Sequence, residues 1–199
     1  MSDSSEPAAV PGRMLVACVG NIFLSDDGFG VEVARRMAAT PRPAGVELVD
    51  FGIRGIHLTY QLMDGYDVLV VVDAAPRGHA PGTVTLLEVD QAGIDTAAGA
   101  DAAAAVSNGE APLLDAHGLE PNAILRMLGP LGGTVRRVLV VACEPATVEE
   151  GLGLSPEVEA AVAPAIALVS QLMREHAAQG SDGPSEPMPH DRTAEEVSR

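Results

Sequence analysis

Four short apolar runs, each followed by a polar residue, constrain the fold of this chain more than any other feature. The runs contain several β-branched residues and lie at 14–19, 46–49, 68–72 and 138–142. Such runs are typical of strands buried on both faces of a parallel sheet. Helical patterns follow three of them, so the connections are crossovers and the strands run parallel. The sequence therefore predicts an α/β fold.

Two further segments complete the predicted architecture. Residues 83–89 alternate apolar and polar side chains only in part, which predicts an edge strand paired antiparallel. Residues 155–173 predict a helix that packs on the sheet through one apolar stripe. The stripe consists of Val158, Val162, Ile166, Val169 and Met173. We therefore expect a mostly parallel, twisted sheet with one antiparallel edge strand and helices packed against it.

The domain boundaries follow from composition. Residues 1–12 and 177–199 are polar and rich in Pro, Gly and Ser, so both are predicted to be disordered tails. Residues 13–176 are expected to form a single α/β domain. An Ala-rich stretch at 93–112 has no apolar stripe, which predicts a mobile surface loop within that domain.

Charge and composition exclude several classes of function. The net charge is -16 and the 12 basic residues are all Arg, so a nucleic-acid partner is not expected. The lack of Lys removes the P-loop ammonium and any Schiff-base mechanism. Neither a membrane span nor a secretory signal is visible, so a cytoplasmic protein is expected. Cys18 and Cys143 fit a reducing compartment, and Cys18 is expected to be core packing.

The loop after the first run carries two adjacent acids, Asp26 and Asp27, just before a helix that is expected to begin near residue 28 or 29. One reading is that Ser25 and these acids cap the helix. Because adjacent side chains point in different directions, the other reading is that one acid caps while the other reaches over the sheet edge. A dinucleotide site is disfavoured, since the G-x-G-x-x-G spacing is absent after this run.

Polar residues also follow the second and third runs. Asp50 is interpreted as a turn-former or a support for the site, and Arg54 as a surface charge or a carboxylate clamp. Asp73 ends the most hydrophobic run, where a charge is costly unless a cation compensates it, although a turn cap is the alternative. His57 and His79 are expected to be polar surface or loop residues.

Two carboxylates and an imidazole would together outline a metal site. Asp27, Asp73 and His117 supply such a set, which with open positions suits zinc, nickel or iron(II). Glu144 is a further ligand, a supporting acceptor or a loop cap. Cys143 is disfavoured as a nucleophile because no His partner is adjacent in the pattern.

Five segments in order along the chain resemble one known family. They are CVGN at 18–21, SDDGFG at 25–30, VDA at 72–74, His117 before its helix, and GLSPEV at 153–158. The chain from about residue 14 to 173 is similar to nickel-iron hydrogenase maturation endopeptidases. The resemblance implies an α/β/α fold and an endopeptidase that removes a C-terminal extension from the hydrogenase large-subunit precursor after nickel insertion.

The resemblance also implies roles for individual residues. Asp27 and Asp73 match the family's catalytic acids, and with His117 they match the positions that contact nickel, which the substrate itself is expected to carry. Asn21, Asp50, Arg54 and Glu144 are candidates for supporting the site or contacting substrate. A monomer is expected. The alternatives are a non-catalytic, nickel-dependent maturation chaperone and, less favoured, a nucleotide-binding module.

Overall fold

The computed structural model describes residues 12–90, 128–129 and 131–181. Within them the chain forms five strands and three helices. The strands are β1 Met14–Val19, β2 Val46–Gly52, β3 Val68–Ala74, β4 Val84–Glu88 and β5 Arg137–Cys143. The helices are α1 Phe29–Met37, α2 Gly55–Leu62 and α3 Pro156–Ser181. All five predicted strands are confirmed, as is the start of α1.

The strands form one sheet in the order β2-β1-β3-β5-β4. β1 pairs in parallel with both β2 and β3, and β3 pairs in parallel with β5. β4 lies at the edge and runs antiparallel to β5. The predicted mostly parallel sheet with an antiparallel edge strand is therefore confirmed. The carboxyl ends of the four parallel strands lie together along one side of the sheet, which we call its carboxyl edge, as parallel pairing requires. These strands are β1, β2, β3 and β5.

Both faces of the sheet are covered, which follows from the unbroken apolar character of its strands. On β1, Val16 and Cys18 belong to a core with α1 and α3. Leu15 and Ala17 point to the opposite face, where they join a second core with α2. The molecule thus has three layers, α/β/α, and the expectation that Cys18 is core packing is confirmed because its side chain is fully buried.

The predicted stripe on α3 is confirmed. Four of its five residues are buried and the fifth, Ile166, packs partly buried against the same core. The helix continues to Ser181, so the tail boundary predicted at 177 was placed too early. At the other boundary, Gly12 is also held in the domain, since its carbonyl oxygen lies 2.6 Å from Nε2 of His176.

Several predictions concern residues outside the described part of the chain. They are the two tails beyond these boundaries, the loop at 93–112, His117 and most of the helix that follows it. Among the helices that the structure describes, none combines the length and the apolar character that a membrane span requires.

Candidate active site at the carboxyl edge of the sheet

The segment between β1 and α1 is a compact turn, which we call the acid turn, residues 20–28. Leu24 N donates to the carbonyl of Asn21 (3.0 Å), and Asp27 N donates to the carbonyl of Leu24 (3.1 Å). A short 3-10 helix then spans Ser25–Gly28. The turn closes where Asn21 N donates to Oδ2 of Asp27 at 2.7 Å. The Asp27 carboxylate is therefore held at the end of β1.

Two glycines allow the acid turn to lie directly against the sheet. Gly20 has a φ of +139°, and a Cβ there would lie 1.9 Å from the carbonyl oxygen of Asp27. A Cβ on Gly30 would lie 2.2 Å from the carbonyl oxygen of Val19 and 2.4 Å from that of Val72. Only glycine permits such approaches of backbone to backbone. The first turn of α1 is thereby seated over the ends of β1 and β3.

Asp26 and Asp27 have different surroundings, although they are adjacent in sequence. Asp26 is fully buried, with 0% of its surface exposed. Its carboxylate accepts hydrogen bonds from Ala146 N (2.8 Å), Thr147 N (3.1 Å), Ser155 N (2.6 Å) and Ser155 Oγ (2.9 Å). It therefore joins the acid turn to the loop at 144–155, which leads into α3.

The expectation that an acid caps the following helix is wrong. The residues at the N-cap positions of the 3-10 helix and α1 are Leu24 and Gly28, and neither makes a side-chain capping bond. Asp26 is drawn inward because the loop at 144–155 offers several donors that a buried carboxylate needs. The two acids do diverge as predicted, but the inward one serves a distant loop rather than its own helix.

Asp73 lies near the end of β3, where it pairs in register with Ala142 of β5. Its carboxyl is partly buried. Burial, reinforced by the negative charge of Asp27, raises the pKa of Asp73 to about 8, against a small opposing effect of the Ala74 backbone N–H. A carboxyl with such a pKa stands out as a candidate functional group. Asp27 and Asp73 thus lie at the same end of the sheet, where the charge of Asp27 affects the pKa of Asp73.

The end of β2 and the turn into α2 are braced by side chains of the same segment. Asp50 is exposed and accepts a hydrogen bond from Gly52 N at 2.9 Å, which is the turn-forming role. Arg54 donates to the carbonyls of Phe51 (3.2 Å) and Asp50 (3.1 Å). Its guanidinium therefore braces the loop. Asn21 also lies at this edge, and its side-chain Oδ1 accepts a hydrogen bond from Phe23 N at 3.0 Å.

Glu144 follows β5 and is buried. Its two carboxylate oxygens accept from the backbone N–H groups of Arg77 (2.7 Å) and Gly78 (3.1 Å). Burial raises the pKa of this carboxyl, but the backbone donors of Arg77, His79 and Gly78 outweigh burial and leave the pKa lowered. Of the three predicted roles, these contacts are those of a loop cap.

Cys143 is buried beside Glu144. Burial, together with the charges of Asp26 and Glu144, raises the pKa of its thiol to about 11. The thiol is therefore almost fully protonated at neutral pH and a poor nucleophile. This agrees with the expectation that Cys143 is not the attacking group.

The predicted third metal ligand, His117, lies outside the described residues. Within the ranges that the structure describes, no group of three His, Cys, Asp or Glu side chains is placed to hold a metal. The described part of the site thus contains two carboxylates, Asp27 and Asp73. Carboxylates of this kind can bind a cation or hold a water molecule as a general base.

Comparison with known families gives the chemistry a context. The family model described as "Hydrogenase maturation protease" matches residues 31–172. This chain belongs to the hydrogenase maturation protease family. It is therefore a peptidase, and the resemblance read from the sequence motifs is confirmed.

Individual relatives agree with this assignment. The hydrogenase 2 maturation protease of Escherichia coli is 30% identical over 170 residues, which cover 82% of this chain and 92% of that protein. The hydrogenase expression/formation protein HupD of Rhodobacter capsulatus is 40% identical over 85 residues, covering 42% of this chain and 40% of that protein. The solved structure of the hydrogenase maturating endopeptidase HybD from E. coli has a TM-score of 0.63 at 28% identity and covers 82% of this chain and 93% of that one.

The contribution of Asp26 was missed by sequence reasoning, because its partners lie 120 or more residues further along the chain. One signal was present. Ser155 belongs to the same set of motifs as Asp26, and it supplies two of the donors to that carboxylate. Two motifs that lie far apart in sequence are thus one structural unit of this protease.

Proposed function

We propose that this protease removes a C-terminal extension from the precursor of a nickel-iron hydrogenase large subunit, in the cytoplasm, after nickel has been inserted. The observation that carries this proposal is the placement of Asp27 and Asp73 at the carboxyl edge of the sheet, in a member of this family. With its pKa raised to about 8, Asp73 keeps its proton at neutral pH until a nearby cation favours the charged form. A metal ion carried by the substrate supplies that cation.

Nickel is part of the substrate in this proposal. Asp27, Asp73 and His117 contact it and so distinguish a loaded precursor from an empty one. Carboxylate and imidazole groups are suitable ligands for such an ion. A precursor without nickel offers no cation that draws Asp73 into its charged form, so it binds weakly and is not cut.

The reaction needs a nucleophile and an acceptor for its proton. A carboxylate of the pair holds a water molecule and takes its proton as the water attacks the scissile carbonyl carbon. The nickel ion polarises that carbonyl. When the carbon–nitrogen bond breaks, the proton passes to the departing amine. Two products result, the shortened large subunit and the free extension.

The remaining polar residues support this arrangement. Asn21 holds Asp27 through its backbone N–H, and Asp50 with Arg54 shapes the neighbouring loop. Glu144 fixes the loop after β3 through Arg77 and Gly78. We propose that these residues position the acids and border the path of the substrate.

A cleavage assay on the co-expressed precursor, with and without nickel, tests the proposal. The wild type is compared with Asp27→Ala, Asp73→Ala and His117→Ala, and shortening of the large subunit is read on a gel. Each variant should lose activity by about a hundredfold or more. Asp64→Ala is the matched control, because Asp64 is an exposed acid beside Arg13 at the opposite edge of the sheet.

The outcomes separate two classes of function. Nickel-dependent shortening that the three variants lose, and the control keeps, supports the endopeptidase. A precursor that stays intact in a stable, nickel-dependent complex with the wild type indicates the maturation chaperone instead.

A further inference from the structure

The exposed large apolar side chains of this protein are concentrated near the site. Among the described residues, five of them lie in loops at the carboxyl edge of the sheet: Ile22, Phe23, Ile53, Val148 and Leu152. Phe23 is 65% exposed and Leu152 is 78% exposed. Isolated exposed apolar residues are normal, but a group of them beside a site indicates a contact surface. We call Ile22, Phe23, Val148 and Leu152 the apolar rim.

The two loops that carry the rim are joined to each other. Leu24 and Gly151 form a parallel bridge, in which Gly151 N donates to the carbonyl of Phe23 (2.9 Å) and Ser25 N donates to the carbonyl of Gly151 (3.0 Å). Ser25 Oγ also donates to the carbonyl of Glu149 at 3.0 Å. The buried carboxylate of Asp26 adds its bonds to the same loop. The rim is therefore presented from a fixed framework.

The framework also connects the rim to the catalytic acid. Asn21 donates its backbone N–H to Asp27 and accepts from Phe23 N through its side chain. One residue thus holds both the carboxylate and the start of the rim. A chain bound on the rim lies next to the acid turn, which is the place where a scissile segment must lie.

Charge gives the rim a preferred partner. Glu149 and Glu150 are exposed beside Val148, and residues 20–27 and 144–155 contain no Arg or Lys. The whole chain has a net charge of -16. A partner segment that carries both apolar and basic side chains is complementary to this surface, whereas an acidic one is repelled.

We propose that the apolar rim, with Glu149 and Glu150, docks the precursor segment next to the cleavage point, and that this segment is apolar with adjacent Arg or Lys residues. This inference rests on the proposed function and names the feature of the substrate that its site reads besides nickel. Apolar contacts supply affinity, and the two glutamates favour the correct approach and charge.

The test measures binding and cleavage separately, with purified nickel-loaded large-subunit precursor as the probe. The double variant Phe23→Ser/Leu152→Ser should weaken binding by about tenfold or more, while cleavage at saturating precursor stays near the wild-type rate. Glu149→Gln/Glu150→Gln should slow association and weaken its dependence on salt over roughly 0.05–0.5 M. The control Met63→Ser makes the same kind of apolar-to-serine change at an exposed residue after α2. It should change neither binding nor cleavage.

Each outcome decides a different point. Variants of the rim that bind as tightly as the wild type overturn the docking proposal and leave the peptidase assignment intact. A wild type that binds but does not cut, with binding lost in the rim variants, overturns the peptidase step and supports the docking. If sedimentation shows a wild-type dimer that Phe23→Ser/Leu152→Ser converts to a monomer, the rim is a self-interface and the proposal fails.

Discussion

The amino edge and the carboxyl edge of the sheet, formed by the two ends of its parallel strands, arrange charged residues in opposite ways. At the amino edge, the guanidinium of Arg13 donates to Glu47 (2.7 Å), to the hydroxyl of Tyr66 (3.0 Å) and to the carbonyl of Asp64 (2.6 Å). It also lies 4.2 Å from the centre of the Tyr66 ring. At the carboxyl edge, by contrast, the charge of Asp27 adds to burial in raising the pKa of Asp73.

This difference separates stability from function. Opposite charges at the amino edge tie β1, β2 and the turn before β3 together, and Arg136 extends the network by pairing with Asp67 at 2.8 Å. At the carboxyl edge, burial and the charge of Asp27 make the ionised form of Asp73 costly. Such a cost is typical of functional sites, where groups are kept for a ligand rather than for the fold.

The largest effect on stability is expected at Asp26, which is the exception within the carboxyl edge. Asp26→Ala leaves four donors of the loop at 144–155 without their carboxylate, which should cost about 3–5 kcal/mol. Thermal unfolding should show a midpoint lower by roughly 10 °C or more. Asp26→Asn, which keeps one acceptor oxygen, should lose less. A midpoint unchanged in Asp26→Ala would contradict the structural role.

The cost of ionising Asp73, which arises from burial first and then from the charge of Asp27, can be measured. Because its folded pKa, about 8, lies above the ordinary value of 3.8, the folded state holds the proton better than the unfolded chain does. Stability of the metal-free protein should therefore fall as the pH rises from about 4 to about 8. Asp73→Asn should remove this loss and gain about 2 kcal/mol at the higher pH. Urea unfolding of both proteins at the two ends of this pH range measures the effect. If the free energy of unfolding changes equally with pH in the wild type and in Asp73→Asn, the prediction is refuted.

A complementary change at the amino edge should affect stability alone. Arg13→Ala removes an ion pair and a ring contact, but Arg13 and Glu47 are each about two-fifths exposed. Solvent screening therefore limits the expected loss to about 1–2 kcal/mol. The cleavage rate measured on the precursor should stay at the wild-type level. An Arg13→Ala protein that stays folded but no longer cleaves the precursor would contradict the separation of stability from function between the two edges.

The smallest effect is expected at Glu32 on α1, whose partner Arg36 also pairs with Glu159 of α3. Hydrogen bonds from Arg35 first, and then from Arg36, lower the pKa of Glu32 to about 2, against the opposing effect of partial burial. An acid with a lowered pKa stabilises the fold at neutral pH, and this stability is lost as the pH falls from about 4.5 towards 2. After screening, about 1 kcal/mol is expected. As the pH is lowered, the free energy of unfolding of Glu32→Gln should fall less than that of the wild type. Unfolding followed by circular dichroism measures this difference.

The sheet could be predicted because its signals are local. β1, β3 and β5 are short runs whose apolar residues are buried on both faces, and Asp73 follows the apolar run of β3 directly. The antiparallel pairing of β4 was also visible in its mixed pattern. These features depend only on residues that are neighbours in sequence.

Contacts between loops could not be predicted in this way. The partners of Asp26 and Glu144 are backbone N–H groups, which every sequence supplies and no side-chain pattern marks. The same holds for Arg54, which binds two carbonyl groups of its own loop. The extension of α3 to Ser181 also escaped prediction, because its last turns carry no apolar stripe.

The closeness of Gly30 to two strand ends has a consequence for how this protease can vary. Neither carbonyl oxygen can move away freely, because Val72 is paired within β3 and Val19 is the last paired residue of β1. A single methyl group at position 30 must therefore lift the start of α1, and with it the turn that carries Asp27. In a survey of substitutions, position 30 should be as intolerant as the acids themselves, although it has no functional group. The position of Asp27 therefore depends on the absence of a side chain at position 30.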